Sequence, residues 1–254
     1  MEQTKGKVTV WWSAGGGVGK TTLASAYASY LTKQNEPDSV ALLDFNEVFP
    51  RIHKVFRTEH LSLSPVYDAI EKKEVTVDVL KRVMDKKQGI WIMPGVFLSD
   101  FEQYGPEHFI EIIKLARQVY KEIVVDVNAG MFFSTTYAAL NEGDEIRVVL
   151  EPSLYSLEDT VFACDFVVNS WGVDRSKIKA VVNKYDNSDF DSEAARRILG
   201  VEADVIKENE SIKEAFEKGQ VSKIADIIFG KTQKTNGRKN IFSFFVRSEP
   251  NVAN

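Results

Sequence analysis

The sequence predicts an α/β protein built on a doubly wound, mainly parallel sheet with helices on both faces. Three observations carry that expectation. Short runs rich in Val and Ile recur along the chain, they are continuous rather than alternating polar and apolar, and longer helical patterns separate them. Continuous apolar runs suit strands covered on both faces. Strand, helix and strand in repetition join by right-handed crossovers into a parallel sheet. Ligands in such sheets bind outside the carboxyl ends of the strands, so those loops are where chemistry is expected.

In chain order, KVTVWW (7–12) opens the sheet, and SVALLD (39–44), GIWIMP (89–94), EIVVDV (122–127), EIRVVLE (145–151) and KIKAVVNKY (177–185) extend it. The intervening helices are expected over 20–33, 106–120, 156–170 and 191–199. After Gly230 the polar, basic stretch KTQKTNGRKN has no apolar spacing and reads as a linker. One domain over 1–230 with a tail over 231–254 is therefore expected.

Composition narrows the function classes. With 44% hydrophobic and 27% charged residues among 254, the chain buries a full core and is not disordered. No run approaches the roughly 20 apolar residues that span a bilayer, and MEQTKGK has no signal-peptide pattern, so a cytoplasmic protein is expected. The single Cys164, among large apolar residues, reads as a buried structural thiol, which speaks against disulfides and metal clusters. The net charge of -5 hides an asymmetry: residues 231–248 carry Lys231, Lys234, Arg238, Lys239 and Arg247 with no acid. The rest of the chain is thus more acidic than the whole, which disfavours broad nucleic-acid binding.

The segment with most chemistry follows the first strand. SAGGGVGKTTLASAYA turns through glycines into a helix starting near Lys20. Gly15, Gly16, Gly17, Val18 and Gly19 let several backbone N–H groups converge on phosphate oxygens, and the helix start adds its positive dipole end. Lys20 would neutralise the β and γ phosphates, Thr21 would ligate magnesium through its hydroxyl, and Thr22 completes the motif. ATP and Mg²⁺ are the cofactors expected. A glycine-rich helix cap with no ligand is the bland alternative.

GGGVGKTT resembles the deviant phosphate loop of the ParA/MinD family of dimerising ATPases, and similar matches run along the chain. The family's loop begins with a lysine that reaches across a dimer to the partner's nucleotide; here that position is Gly15, and Ala14 stands where the first loop glycine is usual. VALLDFN resembles the strand that ends in Asp-x-Asp. Asp44 keeps the first acid, suited to the magnesium shell, whereas Asn46 replaces the acid that positions attacking water. An amide cannot take a proton as a carboxylate can, so weakened hydrolysis is implied. A turn or capping acid is the other reading of Asp44.

IVVDVNAG resembles the Walker B and second switch segment. The resemblance implies Asp126 behind the magnesium and Gly130 sensing the γ phosphate through its backbone. VVNKYD resembles the strand whose asparagine reads the adenine edge, which makes Asn183, flanked by Lys184, the base contact; a plain turn asparagine is the alternative. VIKENESIKEAFEKGQ resembles the purine-flanking loop and its helix, with Lys207 where proline is usual. The catalytic set expected is thus Lys20, Asp44 and Asn46, and the metal set Thr21, Asp44 and Asp126.

The tail RKNIFSFFVRS places Ile241, Phe242, Phe245 and Val246 near one helical face between basic ends. It looks like the membrane-targeting tail of MinD-type proteins, which implies docking on anionic lipid through 238–247, peripheral at the inner face of the cell membrane, strengthened by homodimer avidity. Packing on the body or on a protein partner is the alternative. The implied function is an ATP-binding, dimerising switch of the MinD-like or pilus-assembly CpaE/TadZ-type branches. It would position a partner or cargo with weak or absent hydrolysis; a ParA-type DNA partition ATPase is the less favoured reading.

Overall fold

The computed structural model describes residues 5–97, 104–186 and 190–230; the tail segment 238–247 lies outside the described residues. Its strands are β1 (Lys7–Ser13), β2 (Val40–Phe45), β3 (Glu47–Val48), β4 (Asp85–Lys87), β5 (Ile90–Met93), β6 (Val96–Phe97), β7 (Glu122–Ala129), β8 (Glu145–Leu150), β9 (Ile178–Tyr185) and β10 (Ala203–Lys207). The helices are α1 (Lys20–Thr32), α2 (Ile52–Phe56), α3 (Ser64–Glu71), α4 (Val77–Arg82), α5 (Pro106–Val119), α6 (Ser134–Glu142), α7 (Leu154–Trp171), α8 (Ser192–Leu199), α9 (Glu210–Glu217) and α10 (Val221–Phe229).

Eight strands form one sheet in the order β10-β9-β8-β1-β7-β2-β5-β4, parallel throughout except for the β4–β5 hairpin at its edge. β1 and β7 lie at the centre, and each apolar run is buried because helices cover both faces. One core layer joins Trp11, Leu42 and Val124 to α1, α9 and α10; the other joins Val10, Trp12 and Val125 to α5, α6 and α7. Sequential pairing places the ends of β1, β2, β7 and β9 along one rim, with β1 between β7 and β8.

The expected fold class is the one observed, and the ten expected elements fall within two residues of their predicted ends. Short pieces add to them: β3 pairs with β6 in a separate two-stranded ladder, and α2, α3 and α4 fill the β2–β5 crossover. The charged centre of EIRVVLE is explained by Arg147, 2% exposed, which pairs with Glu145 and stacks over Trp11 and Tyr27. Asp204, near Arg147, is pushed up to about 7 mainly by burial. Cys164 is buried, and that burial pushes its thiol up to about 12, so the thiol stays protonated and unreactive.

Candidate nucleotide site

The loop from Ser13 to Lys20 owes its course to two glycines. Gly17 (φ 80°) and Gly19 (φ 90°) are left-handed, a region that penalises any side chain. Gly19 is doubly constrained, because a Cβ there would lie 2.5 Å from Asn183 Nδ2. No side chain caps α1, and no acid occupies its first turn. The helix start thus presents backbone donors and a positive dipole end to a cavity of about 730 Å³ lined by Gly16–Thr22. Beyond Gly15, Gly16 and Gly17 no atom lies within 4 Å of where a Cβ would stand, leaving an open cradle.

Behind the loop sits a buried polar cluster fixed by strand register. Asp44 on β2 is the ladder partner of Asp126 on β7, and both are fully buried. Thr21 Oγ1 donates to Asp126 Oδ2 at 2.7 Å, and Lys20 Nζ lies 3.3 Å from Asp126 Oδ1. Asn46 Nδ2 bridges the two acids, 2.8 Å from Asp44 Oδ1 and 2.8 Å from Asp126 Oδ2. Asp44 Oδ2 accepts the N–H groups of Arg51 (3.1 Å) and Ile52 (3.0 Å). Burial first, then repulsion by Asp126, pushes the Asp44 carboxyl up to about 7, against bonds from Asn46 and Ile52 that pull it down.

The far wall comes from β9 and β10. Asn183 is buried and donates from Nδ2 to the Val18 carbonyl at 2.8 Å, while Lys184 (φ 59°) reaches the Gly17 carbonyl at 2.8 Å and Glu151 at 2.5 Å. Both residues therefore brace the loop. Lys207, Ile212 and Phe216 continue the lining past β10.

Of the residues expected from sequence, Gly16–Thr22, Asn46, Asn183 and Lys184 meet at the cavity wall. Asp44 and Asp126 stand directly behind it, Asp126 one hydrogen bond from Thr21. Gly15 is exposed outside the lining, and Gly130 is bonded back to β1: its N–H donates to Ser13 O and its carbonyl accepts from Trp12 Nε1.

Sequence reasoning passed over Glu47, Phe49, Arg51 and Asn128. Glu47, buried, accepts from the Thr135 N–H (2.9 Å) and hydroxyl (2.7 Å), tying the segment after β2 to the start of α6. Asn128 holds the Glu47 backbone at both N–H and C=O. Val48, directly after the anchored Glu47, sits at φ 77°, a strained conformation for a β-branched residue. The only sequence signal was an acid directly following Asn46.

The fold as a whole superposes on solved structures of known proteins. A ParA family ATPase from Chlorobium tepidum superposes with a TM-score of 0.76 at 21% identity, covering 88% of this chain and 93% of that one. This is the ParA/MinD fold. MinD complexed with Mg-ADP from Pyrococcus horikoshii superposes with a TM-score of 0.69 at 23% identity, covering 84% of this chain and 86% of that one. In sequence, an uncharacterized ATP-binding protein of Methanocaldococcus jannaschii is 26% identical over 176 residues, 69% of this chain and 63% of that protein. The septum site-determining protein MinD of Thermotoga maritima is 24% identical over 180 residues, 71% of this chain and 65% of that protein. The match thus spans less than two thirds of either relative's length. No protein-family model matches the chain.

Proposed function

We propose that the chain is a ParA/MinD-type switch that binds ATP with magnesium, dimerises, and positions a partner or cargo, with slow or absent hydrolysis. The observation that carries this reading is the uncapped start of α1, opened by left-handed Gly17 and Gly19, with Lys20 and Thr21 converging on buried Asp126. The donor set fits the ligand. Backbone N–H groups and Lys20 suit phosphate oxygens, and the Thr21 hydroxyl with the two carboxylates behind it suits the water shell of a hard cation.

Bound magnesium would supply charge neutralisation for the phosphates and for the pair Asp44–Asp126. Hydrolysis is governed by the chain's own groups. Asn46 donates its amide protons to both acids, and a carboxamide is not basic enough to accept a proton from water, so hydrolysis lacks a base at that position. Asn183, at the β9 side, would meet the base.

Dimerisation is supported by apolar side chains exposed where β7 and β8 end: Phe132 is 91% exposed and Tyr155 80%, beside Leu154. No helix among the described residues is long and apolar enough to cross a membrane, so membrane docking in this proposal rests on residues 238–247 alone. The domain boundary near 230 belongs to the same proposal.

Equilibrium binding tests the assignment. Lys20→Ala should abolish retention of ATP with magnesium, and unchanged affinity would refute the site. Flotation of the full chain on anionic liposomes, against a chain ending at Gly230, tests the tail: flotation raised by ATP and requiring the tail is expected. Absence of flotation in every state favours protein docking or DNA partition instead.

A further inference from the structure

Among the described residues five cations line the cavity, and they differ in what already holds them. Lys20 faces Asp126, and Lys184 is bonded to Glu151 and to the Gly17 carbonyl. Lys207 at the end of β10 and Lys213 on α9 enter where Glu208, Glu210 and Glu217 share the wall. Arg51 lines the same cavity as Asn46 and comes from the segment after β2, which lies across β1 from β9 and β10. It is exposed, and among the described residues no acceptor engages its guanidinium.

The backbone carrying Arg51 is anchored on every side. Its N–H and that of Ile52 are held by Asp44, Ile52 is fully buried, and Pro50 packs so closely on Gly95 that a Cβ at 95 would stand 2.4 Å from it. An uncommitted guanidinium on a rigid mount is suited to a fixed anionic target, since little ordering opposes the contact. The sheet sets the direction of the target. If Asn183 meets the base at the β9 side, as proposed above, phosphates cradled by the start of α1 would extend toward β2, whose following segment carries Arg51 on the cavity wall.

We propose that Arg51 contacts the terminal phosphate of a bound nucleoside triphosphate and sets the preference for triphosphate over diphosphate. The proposal rests on the nucleotide reading above. It assigns a positive charge on the cavity wall to this chain's own segment after β2, in a sequence whose loop carries Gly15 rather than a lysine.

The test is equilibrium binding of a non-hydrolysable ATP analogue and of ADP, each with magnesium, to the full chain, to Arg51→Ala and to Arg51→Lys. Arg51→Ala should weaken the triphosphate about tenfold or more, the scale of one lost charge-assisted contact, and leave ADP within about twofold. Arg51→Lys should recover part of the loss, because a lysine keeps the charge but not the fork. Thermal unfolding should be unchanged in both variants, since among the described residues the Arg51 guanidinium has no partner to lose. Equal affinities of Arg51→Ala and the unaltered chain, or an equal loss for both nucleotides, would overturn the role of Arg51. Failure of the unaltered chain to bind either nucleotide would instead overturn the nucleotide reading, and this inference with it.

Discussion

Glu47→Ala should destabilise the domain far more than a substitution in a two-residue strand normally does. The side chain is 5% exposed and accepts two bonds, from the Thr135 N–H at 2.9 Å and from its hydroxyl at 2.7 Å. Removing the acceptor leaves an N–H at the start of α6 and a buried hydroxyl without partners, at about 1–3 kcal/mol for each stranded group. The hydroxyl can rotate toward another acceptor, so a total near 3 kcal/mol is expected rather than the sum of the two maxima. At about 2–4 °C per kcal/mol for a domain of this size, the melting temperature should fall by roughly 6–12 °C. Glu47→Gln keeps one carbonyl acceptor and should fall by less than half as much. Urea unfolding of Glu47→Ala, Thr135→Val and the double variant provides the cycle. The single losses should exceed the double-variant loss when added, with a coupling of about 1 kcal/mol or more. A Glu47→Ala loss under about 0.5 kcal/mol, or strictly additive losses, would refute the argument that this carboxylate ties β3 to α6.

Two further outcomes concern the acids. Asp44 and Asp204 titrate at about 7 in the folded chain against 3.8 as the ordinary value. Between those values the folded state binds more protons than the unfolded one, so their contribution to stability is fullest below about pH 4 and declines as pH rises through 7. Unfolding free energies from urea titration without divalent metal should therefore rise on moving from about pH 8 to about pH 5.5, by an amount on the order of 2–4 kcal/mol, with Asp204→Asn removing part of the slope. A stability that increases with pH across that window would contradict the buried-acid assignment. Asn46→Asp places a third carboxylate between Asp44 and Asp126 and removes the bridging amide donor. Without metal it should destabilise by about 3 kcal/mol, and millimolar magnesium should restore more of the melting temperature than it adds to the unaltered chain; equal magnesium shifts in the two would exclude a cation beside these acids.

Much of this architecture was legible without coordinates. Continuous apolar runs identified the central strands because a strand covered on both faces has no polar side to show, and GKTT after a buried strand marked the loop because left-handed turns select glycine. Asp44 and Asp126 were readable as strand-end acids. The β4–β5 hairpin, the β3–β6 ladder and α2 to α4 were not, since elements of two to eight residues carry too little periodicity and exist through what they pack against.

At the site, sequence determined which residue types were present, and tertiary structure decided what each one does. Asn183 braces Val18 from 165 positions away, and Glu47 meets Thr135 across 88. Asn46 read from sequence as a missing base; folded, its amide also holds two buried carboxylates together. Arg51 carried no signal in the sequence; it is the fold that places it on the cavity wall, with its N–H held by Asp44. Backbone propensity and burial pattern act over a few residues and so are written in the sequence. Hydrogen-bond partners and local charge balance depend on which strand ends the parallel register brings together, and that is settled only when the chain is folded.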